Sequence, residues 1–296
     1  MIVVPNIFTP HFDPIRNLDF SFSQDDPRSS DIRLYLSPTE QNIFDDKMKN
    51  YSLDLETPNR WINHDNRKFA FEQEKLCEKI FCLCPFFAKK RNEALGTQKY
   101  KEVFFPFSKN KIPINKEKNF DLIYISNSNP PWIHELRKLK DFKICILGAI
   151  NPLSTHSSPT YESKIDLISR SKACIVHNEY YLRPSHNNIL DNEKEFEELK
   201  KYIEVRNFKT TQHKSRVMDA AFCRSIMLCK KDEFNIIENI FKEKDNFLYF
   251  DDSNIIDTIL ETIHNYSKYK EMVDTTFDFA LNNYTTEQFY NKFILQ

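Results

Sequence analysis

Short apolar runs alternate with longer amphipathic stretches through the second half of the chain. Each run is four to six residues long, the length of a buried strand, and the stretches between place apolar residues at helical spacing. The predicted strands are residues 122–125, 142–147, 173–176, 225–229 and 247–250. The predicted helices are residues 132–139, 161–170, 193–203 and 234–241, a helix that begins at Ser215, and three closing helices. This alternation predicts an α/β fold with a parallel, doubly wound sheet, which binds its ligand beyond the carboxyl ends of its strands.

The first half of the chain alternates less regularly. We predict strands at residues 32–36, 80–84 and 103–107, helices at residues 69–78 and after Pro85, and a polar helical stretch that opens at Thr39. Residues 108–118 are charged, contain one proline and separate the two halves, so they form a natural domain boundary. We therefore predict two α/β domains of ordinary size.

The composition excludes several classes of function. The formal net charge is -1, so the chain lacks the surplus of lysine and arginine that a nucleic-acid groove needs. The chain contains only two glycines, Gly96 and Gly148, which rules out a glycine-rich phosphate loop and the dinucleotide-binding fingerprint. P-loop nucleotide hydrolases are thereby excluded.

Cysteines and apolar runs bear on the cellular compartment. The seven cysteines lie mostly in apolar runs and lack the paired spacing of a zinc site, which favours buried thiols in a reducing compartment. Pro5 interrupts the apolar residues at the N-terminus, and no apolar run approaches the roughly 20 residues of a membrane span. We therefore expect a soluble, cytoplasmic protein.

The densest group of chemically active residues surrounds Ser215. Ser215 is a good helix N-cap, and Lys214 and Arg216 flank the predicted helix start. Unpaired N–H groups, the positive end of the helix dipole and two cations together predict a site for a phosphate or diphosphate. Asp219 lies one turn further along the same face, where its carboxylate could accept hydrogen bonds from ribose hydroxyls. The alternative interpretation is a solvated basic loop that caps a helix.

The order of several short segments resembles a known family, the group 1 glycosyltransferases. The segments that carry the resemblance are residues 215–229, 238, 250–252 and 283–285. The resemblance covers residues 119–290, and residues 77–85 and 103–107 also look like N-domain pieces of such enzymes. It implies a GT-B fold, in which two Rossmann-like domains face each other across a cleft and the C-terminal domain holds the sugar nucleotide.

This resemblance implies a division of labour along the chain. Residues 1–115 form a shortened N-terminal acceptor domain, residues 116–282 bind the nucleotide sugar, and residues 283–296 form a helix that packs back on the N-terminal domain. The implied activity is metal-independent transfer of a sugar from a nucleoside-diphosphate donor to a glycan or lipid-linked acceptor, as in polysaccharide biosynthesis. No cofactor is implied, because cationic side chains and helix dipoles neutralise the leaving diphosphate.

The resemblance also implies which residues bind the donor. They are Gln212, His213, Lys214, Ser215, Arg216, Asp219, Ser126, Asn127, His177 and Asn178. Ser126 and Asn127 follow a strand where many such enzymes carry a glycine turn, although an ordinary turn before two prolines explains them as well. His177 ends another strand, and a structural histidine is an equal alternative there.

One departure from the family pattern leaves the stereochemistry open. Retaining members carry two glutamates with seven residues between them, whereas Thr211 and Asp219 stand at those positions in this chain. An inverting enzyme needs a general base near the acceptor, and His64, Asp65 and Glu40 are candidates by position.

Two other classes of function stay open. A degenerate GT-B domain could bind a nucleotide sugar or a partner glycosyltransferase, which the glycine losses and Thr211 motivate. A Rossmann-type enzyme could instead act on another phosphorylated small molecule, such as a sugar phosphate. Residues 86–91, which combine two phenylalanines with three basic residues, fit a peripheral membrane contact and equally fit an exposed basic helix face.

Overall fold

The computed structural model describes residues 1–5, 14–39, 44–55, 61, 64–126, 130–148, 153–156, 160–181 and 209–296. In this part of the chain, the strands form two five-stranded parallel sheets and one two-stranded antiparallel ribbon. Helices flank both larger sheets, so the predicted α/β fold with two parallel sheets is confirmed. Of the helices described, none combines the length and the apolar character needed to cross a membrane.

The first sheet contains strands β1 to β5, whose order in space is their order along the chain. The strands are β1 (Ile2–Pro5), β2 (Ile32–Leu36), β3 (Lys49–Asp54), β4 (Lys79–Cys82) and β5 (Tyr100–Glu102). Two helices, α1 (His64–Leu76) and α2 (Pro85–Leu95), follow β3 and β4. Phe69 of α1 and Phe87 of α2 pack with Ile80 and Cys82 of β4 in one apolar cluster, because a central parallel strand is apolar on both faces.

Strand β3 lies in a polar part of the chain where the sequence predicts no strand. Its polar side chains are hydrogen-bonded inside the protein: Gln73 Nε2 donates to Ser52 Oγ (2.6 Å), and Asn50 Nδ2 donates to the carbonyl oxygen of Asp45 (2.7 Å). These bonds allow polar residues to occupy a central strand, because a buried polar group needs a partner rather than water. The strand at residues 49–54 was therefore missed in the sequence.

The last strand of this sheet also differs from the prediction. β5 ends at Glu102, and the expected strand at residues 103–107 is an extended segment whose Phe107 forms an isolated bridge with Thr285. Phe104 and Phe105 are nevertheless buried in the core. The apolar run at this position therefore indicates burial and not strand pairing.

The strands of the second sheet are β6 (Phe120–Ile125), β7 (Ile144–Leu147), β8 (Ser171–Val176), β11 (Ile226–Lys230) and β12 (Phe247–Phe250). Their order in space is β12-β11-β8-β6-β7. The antiparallel ribbon consists of β9 (Glu179–Tyr181) and β10 (Lys209–Thr211). β6 lies between β7 and β8, so the strand order reverses there, and a doubly wound sheet binds its ligand at the carboxyl ends of the strands beside such a reversal.

Five α-helices of the described chain follow or flank the second sheet. They are α3 (Tyr161–Ser169), α4 (Ser215–Phe222), α5 (Ile255–His264), α6 (Lys270–Asn283) and α7 (Thr286–Phe289). The helices predicted at residues 132–139 and 234–241 are 3-10 helices at Pro131–Lys138 and Ile236–Asn239. The helix predicted at residues 193–203 lies outside the described residues.

The C-terminal segment returns to the first sheet. The ring of Phe289 in α7 packs against Phe81 and Phe104, with centroid separations of 5.2 and 5.9 Å. The backbone N–H of Thr286 donates to the carbonyl oxygen of Phe107 (3.1 Å). One apolar cluster consequently runs from the first sheet through this segment into the second sheet.

Candidate functional site

Two strand ends meet at the point where the strand order of the second sheet reverses. Ser126 follows β6, and His177 follows β8. His177 Nε2 lies 3.4 Å from Ser126 Oγ and 3.2 Å from the hydroxyl oxygen of Tyr124. The structure thus brings together two residues that the sequence analysis places near the donor, while Asn127 lies outside the described residues.

The imidazole of His177 is buried in a positively charged environment. Burial lowers the pKa of His177 well below its ordinary value, and the charges of Arg216, Lys214 and Lys230 lower it further. The ring is therefore neutral near pH 7 and can donate one hydrogen bond and accept another. Three cationic side chains therefore lie close enough to this strand end to act on His177.

Helix α4 begins close to this edge, since the charges of two residues at its start act on His177. The helix starts at Ser215, and Lys214 is its N-cap, whereas the sequence predicts Ser215 as the cap. The N–H of Val217 donates to the carbonyl oxygen of Lys214 (3.1 Å), but the Lys214 side chain makes no capping hydrogen bond, so its N-cap side chain does not offset the positive end of the helix dipole. Val217 and Met218 are buried and hold the helix on the core.

Arg216 carries a charge that the described part of the protein does not neutralise. Burial lowers the pKa of its guanidinium, while nearby groups, among them Asp219, act in the opposite direction. Its Nη1 atom is buried, and no described group accepts a hydrogen bond from it. Lys230, in contrast, forms ion pairs with Asp252 (3.0 Å) and Glu179 (3.5 Å). An unsatisfied buried donor costs roughly 1–3 kcal/mol, which an anionic ligand would offset.

Asp219, which is predicted to bind ribose, accepts hydrogen bonds from two side chains of the protein. It is 1% exposed. Its Oδ1 accepts from the hydroxyl of Tyr161 (2.5 Å), and its Oδ2 accepts from Lys164 Nζ (2.9 Å). Both partners lie on α3, so this carboxylate joins α3 to α4, and a contact with ribose stays a prediction.

The segment before α4 links the two halves of the protein. The N–H of Gln212 donates to the carbonyl oxygen of Asn178 (3.0 Å), and the N–H of His213 donates to that of Leu83 (2.8 Å). His213 Nε2 lies 3.2 Å from Glu102 Oε1, and this hydrogen bond lowers the pKa of Glu102. These bonds fix the loop that leads into α4, and donor contacts by Gln212, His213 and Asn178 stay predictions.

The described structure does not bring the three predicted general bases to this edge. His64 and Asp65 form the first turn of α1, and their side chains lie outside what the structure describes. Glu40 also lies outside the described residues. A catalytic role for these three residues stays a prediction.

Several residues of the site escaped the sequence analysis. Lys230 ends β11 and Glu102 ends β5, and this position at a strand end is the signal that could have found them. Tyr161 and Lys164 carry no such signal, because a lysine in an amphipathic helix is usually a surface residue. Only the packing of α3 against α4 shows that Lys164 is buried.

The basic run at residues 86–91 uses its aromatic side chains inside the protein. Phe87 lies in the core, and the ring of Phe86 contacts that of Phe234 with a centroid distance of 3.8 Å. Arg91 forms two hydrogen bonds of 2.7 Å with the carboxylate of Glu74. Membrane contact through this run stays a prediction, because its two phenylalanines already have partners in the protein.

The cysteines form no disulfide, and the described acidic side chains form no metal-binding group. All seven cysteines are unbridged and buried. Burial raises the pKa of Cys174 to about 12, so its thiolate is not populated near pH 7. Within the described residues, no group of three or more His, Cys, Asp or Glu side chains is placed to hold a metal ion.

Comparisons with known proteins concern the fold. No protein-family model matches the sequence, and no curated protein matches it significantly. The chain is similar to a TarM mutant from S. aureus solved with fondaparinux, alpha-GlcNAc-glycerol and UDP, with a TM-score of 0.54, 10% identity, and coverage of 88% of this chain and 54% of that one.

It is also similar to the pneumococcal O-GlcNAc transferase GtfA, solved with UDP and GlcNAc, with a TM-score of 0.51, 11% identity, and coverage of 90% of this chain and 56% of that one. The chain spans just over half the length of these two proteins. At this level of identity the similarity establishes the fold alone. The protein therefore has a GT-B-like α/β fold with two parallel sheets.

Proposed function

We propose that this protein is a glycosyltransferase that moves a sugar from a nucleoside-diphosphate donor to a glycan or lipid-linked acceptor without a metal ion. The observation that carries the proposal is the guanidinium of Arg216, which has no acidic partner among the described residues and lies at the uncapped start of α4. Lys214 adds a second positive charge to the edge where the strand order reverses. The two similar structures were both solved with UDP, which fits a diphosphate as the ligand of such an edge.

The proposed site supplies what the leaving group requires. As the bond between sugar and diphosphate breaks, negative charge grows on the diphosphate oxygens. The first-turn N–H groups of α4, together with Lys214 and Arg216, stabilise that charge more than they stabilise the intact donor. The neutral ring of His177 offers a hydrogen bond without adding charge. The N-terminal half binds the acceptor, and closure of the two halves keeps water from the donor.

Thermal unfolding with a panel of UDP, GDP, CDP, dTDP and NAD tests the donor site. A ligand at about 100 times its dissociation constant raises the unfolding free energy by about 2.7 kcal/mol. We expect one nucleoside diphosphate to stabilise the protein, NAD to give no shift, and Arg216→Gln to abolish the stabilisation. Arg28→Gln is the matched control, because Arg28 is an exposed arginine of the N-terminal half, with a 65% exposed side chain.

Sugar transfer would support the proposed activity, and the absence of nucleotide binding would reject it. Acceptor-dependent release of the nucleoside diphosphate from the matching nucleotide sugar, with the sugar recovered on the acceptor, would establish transfer. The absence of any shift with every nucleotide, in a protein that melts cooperatively, would remove the donor site and with it the proposed activity.

A non-catalytic domain that binds a nucleotide sugar or a partner glycosyltransferase is the second candidate. It is favoured by Asp219, whose carboxylate is held by Tyr161 and Lys164 instead of pointing to a ligand. Stabilisation by a nucleoside diphosphate without turnover, across a panel of donors and acceptors, would identify this function.

A further inference from the structure

Helix α4 carries a cation and a carboxylate that would ordinarily pair with each other. Arg216 and Asp219 are three residues apart, which places them on neighbouring turns of one helix face, where opposite charges attract. Within the described structure, however, Arg216 forms no ion pair with any carboxylate. Both oxygens of Asp219 are bound instead by Tyr161 and Lys164 of α3.

We infer that Lys164 and Tyr161 are positioning residues, which hold the carboxylate of Asp219 on α3 and so keep the guanidinium of Arg216 available for the diphosphate. This inference rests on the proposed function and specifies how its anion site is maintained. It assigns Asp219 a structural partner in α3 where the sequence analysis expects a ribose contact.

The local charges explain why the ion pair between Asp219 and Lys164 affects Arg216. Arg216, Lys164 and Asp219 together carry one net positive charge, which is left for an anionic ligand. All three side chains of the Tyr161–Lys164–Asp219 group are more than nine-tenths buried, so water cannot replace a lost partner. If Lys164 is removed, the buried carboxylate is left without a cation, and Arg216 on the same helix is the cation that can reach it. The net charge of the site then falls to zero.

The geometry of α3 supports the arrangement. Thr160 caps the helix, since its side chain accepts from the N–H of Ser163 (3.2 Å). Tyr161 and Lys164 lie three residues apart on one face, and the Lys164 ammonium lies 4.1 Å from the centre of the Tyr161 ring. Because both side chains contact one another as well as Asp219, neither can turn away without breaking two contacts.

The test measures the dissociation constant for UDP by calorimetry in the wild type, Lys164→Met, Asp219→Asn and the double variant. We expect Lys164→Met to weaken UDP at least tenfold, since Asp219 then competes for Arg216. Adding Asp219→Asn to that variant removes the competitor and should restore affinity to within about threefold of wild type, a difference of about 0.7 kcal/mol. Lys116→Met is the control, because Lys116 forms a partly exposed ion pair with Asp166 of α3 and should leave UDP binding unchanged.

Tyr161→Phe is a milder variant that keeps the ion pair and removes one hydrogen bond, so it stays informative if Lys164→Met folds poorly. It should weaken UDP by two- to fivefold, and Asp219→Asn should again reverse the loss. A double variant that binds as weakly as Lys164→Met would overturn the inference, because the loss would then come from damaged packing and not from a competing carboxylate.

A second readout separates this inference from the proposed function. Phenylglyoxal modification of Arg216, followed by mass spectrometry, reports whether the guanidinium is paired and needs no nucleotide. We expect slower modification in Lys164→Met and recovery in the double variant. If wild type binds no nucleotide but this pattern holds, the proposed function fails and the charge arrangement stands; equal rates in all variants overturn the inference itself.

Discussion

The neutral imidazole of His177 makes a prediction about stability in acid. The residue is 7% exposed, and burial together with three nearby cations holds its folded-state pKa well below the ordinary value. In the unfolded chain the same ring titrates near pH 6.5, roughly the model-peptide value. Below that pH the unfolded chain binds a proton that the folded chain does not bind. The free energy of unfolding therefore falls as the pH falls through this range, and above it His177 contributes no pH dependence.

The size of the effect follows from proton linkage. One group that is protonated only in the unfolded state removes about 1.4 kcal/mol for each pH unit below its unfolded pKa. Between about pH 6.5 and pH 5.0 this amounts to roughly 2 kcal/mol, a large part of the 5–15 kcal/mol that typically stabilises a domain. For a chain of 296 residues, an unfolding entropy of about 2.1 cal/mol/K per residue converts this loss into about 3 °C of melting temperature.

Urea denaturation at a series of pH values, in wild type and in His177→Gln, measures this contribution. The difference between the two pH curves measures the contribution of His177. We expect the wild type to lose roughly 2 kcal/mol more than the variant between about pH 6.5 and pH 5.0. His264→Gln, at the exposed end of α5, is the matched control for replacing an imidazole by an amide. Coincident curves for wild type and His177→Gln would refute the reasoning that the ring is buried in its neutral form close to cationic side chains.

Three further predictions concern the core and the thiols. Phe289→Ala should lower the unfolding free energy by about 3–5 kcal/mol, because it empties a fully buried aromatic site. The control Phe279→Ala removes a ring that is 41% exposed and should lower the unfolding free energy far less. Equal losses for the two variants in calorimetry would contradict this packing. Glu74→Gln should lower the unfolding free energy by about 3–5 kcal/mol in a denaturant titration, because it leaves the buried guanidinium of Arg91 without its anion. An unchanged unfolding free energy would show that water can solvate Arg91 in the variant. The native protein should react with Ellman's reagent far more slowly than the urea-unfolded protein, because all seven cysteines are buried. Rapid reaction of even one thiol in native buffer would contradict that burial.

The two halves of the chain differ in how well their strands could be predicted. The strand predicted at residues 225–229 is β11 (Ile226–Lys230), because a parallel strand buried on both faces is a short apolar run between polar residues. Strand β3 was missed, because Asn50 and Ser52 are polar and become buried only through hydrogen bonds to residues distant in sequence. No pattern along the chain reveals such a partner before the fold is known.

The contacts of the candidate site also differ in how well the sequence could predict them. Ser126 and His177 were each assigned to the donor side from their positions after strands and from the family resemblance, and the structure places their side chains 3.4 Å apart. The partners of Asp219 could not be predicted, because Tyr161 and Lys164 lie 58 and 55 residues earlier in the chain. Which charge pairs with which depends on how α3 packs against α4, and helical periodicity does not contain that information.

The return of the C-terminal segment to the first sheet has a consequence for synthesis of the protein. Chains are made from the N-terminus at about 5–20 residues per second, so Phe104 is made roughly 10–40 s before Phe289, which packs against it. Throughout that interval the aromatic surface around Phe81 and Phe104 lacks the side chain that covers it in the finished protein. Exposed surface of this kind is what molecular chaperones bind and what aggregates at high expression. The first sheet is thus among the first parts of the protein to be made and among the last to be completed, and slower translation of the second half lengthens its period of risk.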